Sequence, residues 1–453
     1  MTGPLSLTQR MAAALVARHS AGFPPEALDK AALCLADFLS GAFEAAPLEW
    51  SRQAAAIATP LATGAAMIPG RMRAVAGDAA FANAVAAHGL VREDMHTGSI
   101  AHLGVVIWPA LTAMLAGMEQ PVSGHNFLTA GIAGYEVGAR IGSALMDAQL
   151  ARLFRPTGMS GPVAAAAACG ILIGLDEAQL TVALGLSFNT LAGFNEWPHS
   201  GGSEMYFHAG FAARNGMAAA RLAREGAFAA PTILEGEAGL FRAIARREPP
   251  ADIPLYADGF EILSVFHKQA PACNYAQTPC QAALEAARAF DGSLDDIASI
   301  TVRCTEAARL YPGCDHAGPF GNVLQAKMSI QYGVAAVIAS RTMSEANYAR
   351  SDDPEVAALI GKIALETDAA LSAAYPGKQG AEVAIAAKDG RRFTSRLEDV
   401  IKASAEEVRE RFSRSAADWL GAARASELGG FVSSLATSGD VRGLNALCLP
   451  EAA

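Results

Sequence analysis

Apolar positions along the first 255 residues recur at helical spacing in one segment after another. The stretches SLTQRMAAALVARHS, PEALDKAALCLADFLSGAF and AAFANAVAAHGL follow a 3.6-residue period and consist of strong helix formers. SGHNFLTAGIAGYEVGARIGSALM opens with Ser123 as a capping residue. DEAQLTVALGLSFNTLAG and HAGFAARNGMAAARLAREGAF continue the pattern, and almost nothing in this half alternates as a strand does. Near residue 256 the pattern changes. DIASITVRC, 296–304, sets Ile297, Ile300 and Val302 among short polar residues and predicts a strand. AEVAIAAKDGRRFTSRL, 381–397, predicts a hairpin turning at Lys388-Asp389-Gly390, because Asp-Gly suits a tight turn. Between them NVLQAKMSIQYGVAAVIAS predicts one buried helix, and SAEEVRERFSRSAADWLGAARA predicts an amphipathic helix after 403. The expected fold is mainly α with a smaller α+β domain. A large all-helical domain would take residues 1–258 with 404–453, and an α+β lid domain residues 259–403.

Composition sharpens this picture. The chain has 453 residues, 52% hydrophobic and 18% charged, so long disordered segments are not expected. Mean hydropathy is +0.23, high enough to raise the question of a membrane. The most membrane-like run, GPVAAAAACGILIGL at 161–175, is alanine-rich and falls short of the roughly 20 strongly apolar residues of a span. A buried helix is expected there and no membrane, and an oligomer interface would account for the excess of apolar surface. The N-terminal stretch lacks a basic segment followed by a long apolar run, so no signal peptide is expected. Seven cysteines without a CxxC suggest reduced thiols in a cytoplasmic protein, not a disulfide frame or a metal site. A net charge of −10 with no basic run argues against nucleic acid. GxGxxG after a strand, the P-loop, HExxH and GxSxG are all missing, so no cofactor and no metal are expected.

The titratable residues are unevenly placed. Of nine histidines, three fall within HGLVREDMHTGSIAH, 88–102, beside Arg92, Glu93 and Asp94. This is a turn between two expected helices, one over 78–90 and one starting near Leu103. His96 and His102 are six residues apart, which is not the spacing of a metal pair on one helix. Imidazoles beside carboxylates can move protons at neutral pH, although capping and solvated loop residues would read the same way. Arg155, in LFRPTGMSG, precedes Pro156 at a helix start, where it could fork onto a carboxylate or simply be a loop arginine. NEWPHSGGSEMYFHAG supplies His208 at the head of a small-residue helix, where a satisfied core histidine is the plainer role. Lys268, in FHKQAPACNYAQ, stands out because the chain carries 28 arginines and only 7 lysines. It fits a carboxylate holder, an acid/base group or a surface lysine.

In family order, the runs HGLxxEDxHxxxxxH, GYEVGARIG, FRPTGMSGPVAAAAACGILIGLDEAQL, HAGFAARNGMAAARLAREG, KQAPACNYAQ and AKMSIQYGVAA resemble the MmgE/PrpD family along nearly the whole chain. The resemblance implies a helical domain with an α+β lid, a homodimer, and an active site in the cleft between the domains. It also implies cofactor-independent chemistry on small polycarboxylates: dehydration of 2-methylcitrate, decarboxylation of cis-aconitate, or epimerisation of iminodisuccinate. His102 matches the family's active-site histidine, and Asp94 and His96 match its acidic and second histidine positions. Lys268 matches the lysine opening a further block, with Tyr275 nearby. Val91, Met95, Arg155, Met205 and Asn274 depart from the usual residues. The expected catalytic set is therefore His102, Asp94, His96 and Lys268. Arg92, Arg155, His208 and Tyr275 are expected to bind substrate, in a hydro-lyase with epimerase or decarboxylase as the alternative.

Overall fold

The computed structural model describes residues 4–349 and 352–451. The fold is mainly α with a smaller α+β part. The helices that place the site are α1 (Pro25–Ala45), α2 (Ala76–His88), α3 (Gly104–Leu115), α4 (Gly124–Leu145), α5 (Pro156–Leu172) and α6 (Glu204–Arg224). Every residue of α5 is buried, between α4 and α6, which explains its Ala- and Gly-rich sequence. A Cβ on Gly216 of α6 would sit 2.4 Å from the Pro162 carbonyl oxygen, so the two backbones meet where only glycine fits. The apolar run at 161–175 thus belongs largely to a core helix. No single helix among the described residues is long and apolar enough to cross a membrane.

The helical half is not purely helical. Residues Pro60–Met67 (β1) and Met72–Ala74 (β2) form an antiparallel hairpin. The sequence hides it because PLATGAAM carries no β-branched run. Side chains from elsewhere complete its hydrogen bonding: Asn83 bonds Ile68 N and the Ala66 carbonyl at 2.8 Å each, and Asn445 accepts from Ala66 N at 2.6 Å.

The second part holds a four-stranded sheet in the order β4-β3-β5-β6, with β3 at Ile297–Cys304, β4 at Ile363–Thr367, β5 at Ala381–Ala387 and β6 at Arg392–Leu397. The β5–β6 hairpin turns at Gly390, φ 89°, as the Asp-Gly step requires. β4 pairs parallel to β3. The helix α7 (Gln277–Ala289) packs on β5 and β6. Two expected single helices are split. Ser329 separates Val323–Met328 from Ile330–Ser340, its hydroxyl accepting from Tyr332 N at 2.9 Å. Gly421, φ 87°, ends α8 (Ala405–Leu420) and starts Ala422–Ser433. α8 packs against α1 and returns the chain to the helical half.

Candidate active site

The loop from Gly89 to Leu103 joins α2 to α3 and is stitched to the other half of the molecule. Met95 and Phe266 exchange two backbone hydrogen bonds, at 2.8 and 3.0 Å. Lys327 Nζ, fully buried, donates to the Leu90 carbonyl at 2.9 Å and to Glu345 at 2.7 Å. Lys268 Nζ, also fully buried, donates to the Val91 carbonyl and, at 3.3 Å, to that of Ala272. Val91 takes a left-handed φ of 59°, costly for a β-branched residue and held here by these grips.

That path turns Glu93 inward to the centre of a buried cluster. Its Oε1 lies 2.8 Å from His88 Nδ1, 3.1 Å from His102 Nδ1 and 3.8 Å from Lys268 Nζ. Burial works against its charge, but Lys268, His88 and His102 together hold the carboxyl well below its ordinary range. Burial pushes both histidines down from the usual imidazole value, more strongly for His102, where Lys268 adds to the effect. Burial also lowers the Lys268 ammonium, against the pull of Glu93.

His102 is fixed on one side only. Its Nδ1 lies 3.0 Å from the Asp94 carbonyl, which can only accept, so Nδ1 carries the proton of the neutral ring. Its backbone N–H donates to Thr157 Oγ1 on α5 at 3.0 Å. Nε2 is left with its lone pair and no hydrogen-bond partner among the described residues.

Arg155 caps α5 at the edge of this cluster. Its guanidinium donates to His88 Nε2 at 3.3 Å, to the Tyr311 hydroxyl at 3.3 Å and to Met205 Sδ at 3.5 Å, while Nε is buried without a partner. Two further buried atoms in this region lack partners, Glu93 Oε2 and His208 Nδ1. Burial and the charge of Arg155 lower the His208 imidazole to about 4. Other buried polar atoms among the described residues also lack partners, but these three lie beside the Glu93 cluster.

The other expected residues go elsewhere. Arg92 forks onto Glu44, at 2.5 and 3.2 Å, on the wall of a separate cleft of about 860 Å³. The Asp94 carboxylate accepts from the Tyr135 hydroxyl and, at 3.1 Å, from Gly104 N; burial and Asp37 push it up to about 6. A Cβ at Gly104 would fall 2.5 Å from that carboxylate, so glycine is needed for α3 to start there. Asp94 thus meets the cluster through its carbonyl, as the acceptor that orients His102. His96 bonds Ser99 Oγ at 2.9 Å and Glu261 at 2.8 Å, outside the Glu93 cluster. Tyr275 shares a 2.9 Å hydroxyl contact with Tyr375 and lines a cleft of about 440 Å³ between the two halves. His88 and Glu93 fell within the titratable cluster read from the sequence but outside the expected catalytic and binding sets, and Tyr311 was not singled out. The available signal was His88 closing a helix five residues before Glu93.

Among the described residues no group of three or more His, Cys, Asp or Glu is arranged to hold a metal ion, and all seven cysteines are free thiols.

The chain is 32% identical over 211 residues to a cis-aconitate decarboxylase-like protein of Aspergillus oryzae, covering 45% of this chain and 44% of that protein. It is 26% identical over 368 residues to a cis-aconitate decarboxylase of Aspergillus terreus, covering 75% and 74% of the two chains. The chain thus spans under half of the first relative and about three-quarters of the second. Residues 9–252 match the MmgE/PrpD N-terminal domain and residues 270–435 the C-terminal domain, so the chain belongs to the MmgE/PrpD family.

Proposed function

We propose that this protein is a cofactor-independent lyase of the hydro-lyase type, acting on a small hydroxylated di- or tricarboxylic acid. The observation that carries this reading is the neutral His102, its Nδ1–H held by the Asp94 carbonyl and its Nε2 lone pair free. Such a ring is a base. Nε2 would take the proton from the carbon next to a substrate carboxylate held by Arg155, whose guanidinium would stabilise the enolate charge. The electron pair of that C–H bond becomes the C=C bond as the neighbouring C–O bond breaks. The proton gained by His102 passes to the departing hydroxyl, which leaves as water and restores the neutral ring. Lys268 supports the site indirectly, by neutralising Glu93 and fixing the Val91 turn.

The decarboxylase names of the relatives favour a second reading. There His102 would have to give a proton to the carbanion left by CO2, which needs the imidazolium. The two differ in pH dependence. Because the His102 pKa is depressed, the basic form persists below the ordinary imidazole value. For elimination, kcat/KM is expected to stay level from pH 8 to below 6.5 and to fall only in stronger acid. For decarboxylation it would climb as the pH is lowered.

The test is proton NMR in D₂O with citrate, 2-methylcitrate, malate and cis-aconitate. A new vinyl signal from a hydroxy acid supports the lyase proposal. Deuterium in an intact skeleton, CO2 release without elimination, or no change with any acid would each overturn it. Replacing Arg155 with methionine is expected to lower kcat/KM about 10²-fold or more, as for loss of one charge-stabilising donor. Arg155→Lys should not restore it, because an ammonium cannot present the same planar fork. Steady-state kinetics on either variant within threefold of the wild type would remove Arg155 from the reaction.

A further inference from the structure

The charge available around the cluster limits what the substrate can be. Lys268 already donates to the carbonyls of Val91 and Ala272 and forms an ion pair with Glu93 at 3.8 Å. Glu93 cancels its charge. Arg155 keeps a buried N–H unspent. Its Nη2 donates to His88 Nε2 and to a thioether, Met205 Sδ, and not to an anion. One guanidinium suits one carboxylate well, whereas every further carboxylate carried into this buried region needs a cation to offset its desolvation.

Beyond Arg155 lies a cleft whose surface is mostly apolar, with Asp147, Arg152 and Glu306 also on its lining. The Tyr311 hydroxyl that accepts from Arg155 belongs to a ring lining the cleft of about 440 Å³. Ile100, Met146, Ala148, Leu310 and Tyr375 line the same cleft. Ile100 lies in the turn that leads to His102, and Ala148 lies in the short helix Ala148–Leu153 just before Arg155. The Tyr275 ring stands 5.2 Å from that of Tyr311 and 5.9 Å from that of Tyr375, an aromatic wall from the sheet-bearing half. The cleft therefore shares Tyr311 with the cation that would hold the reacting carboxylate.

We infer that the substrate is a hydroxydicarboxylate carrying an apolar substituent, and that this substituent lies in the cleft walled by Tyr275, Tyr311 and Leu310. The inference rests on the lyase reading above and narrows its substrate class. Burial of apolar area then supplies binding, whereas a third carboxylate would need a cation beyond Arg155 and the Arg152 on the cleft's lining. Each methylene placed in the cleft should raise kcat/KM by about twofold to fourfold, the upper figure corresponding to full burial.

The experiment compares malate with 2-methyl-, 2-butyl- and 2-hexylmalate, and with citrate, which is malate bearing a carboxymethyl group in the same position. The purified full chain is used, and conversion to the unsaturated acid is followed by NMR. The expected result is a rise in kcat/KM from malate to butylmalate, with butylmalate well ahead of citrate. In Leu310→Glu and Ala148→Trp, both at exposed positions on the cleft, the ratio of butylmalate to methylmalate should fall toward one. Turnover of malate or citrate with no gain along the alkyl series overturns the inference and leaves the lyase reading standing. A gain unchanged in both variants overturns the assignment of the cleft. Absence of turnover with every acid removes the lyase reading and the inference with it.

Discussion

His102→Gln is expected to lower turnover by about 10²–10⁴, the usual cost of losing a positioned acid/base group, while the chain remains folded. The fold should survive because the hydrogen bond to Thr157 comes from the backbone N–H of residue 102 and is untouched. The glutamine amide can also donate to the Asp94 carbonyl in place of Nδ1. What glutamine cannot supply is a basic lone pair where Nε2 stood. The check is kcat on the acid that the wild type converts, alongside a circular dichroism melt of both proteins. Turnover near wild type in a folded variant would sink the assignment of His102 as the base.

Glu93→Ala is expected to be the most destabilising single change at the site. Lys268 has no exposed surface, and Glu93 is the carboxylate that offsets its charge. Removing one partner of a buried pair typically costs roughly 3–5 kcal/mol, because the other charge remains in a medium that cannot solvate it. His88 and His102 lose an acceptor at the same time. The double variant Glu93→Leu, Lys268→Met should recover much of that loss, since no orphaned charge remains, and its cost should be smaller than the two single costs added. It should nonetheless be inactive, because the Val91 turn and the orientation of His102 lose their supports. Chemical denaturation of Glu93→Ala, Glu93→Leu, Lys268→Met and the double variant under one set of conditions decides this. Additive losses would mean that Glu93 and Lys268 stabilise the fold independently.

These two residues also show where sequence reasoning reached and where it stopped. The clustering of His88, Glu93, Asp94, His96 and His102 was legible, because a chain of 18% charge rarely gathers so many titratable groups in one turn. Their division of labour was not. Arg92, Glu93 and Asp94 are consecutive, yet one reaches a separate cleft, one the centre of the cluster and one the start of α3. In non-helical backbone, successive side chains point in different directions, and the left-handed Val91 resets which residue faces inward. That conformation is held by Lys268, more than 170 residues away in the chain, and no local pattern announces it.

The sequence by itself determined the helical class of the first half, the β5–β6 hairpin and the buried character of α5. Each depends on near-neighbour periodicity or on a residue with a fixed conformational preference. It also carried the family. Tertiary structure alone decided the β1–β2 hairpin, the breaks at Ser329 and Gly421, and the parallel pairing of β4. It decided as well which of the clustered groups share one buried carboxylate. Those outcomes depend on partners distant in sequence, Asn83 and Asn445 for the hairpin and Lys268 and Lys327 for the turn. A buried charge or an unpaired strand is tolerated only when the whole fold brings its partner to it.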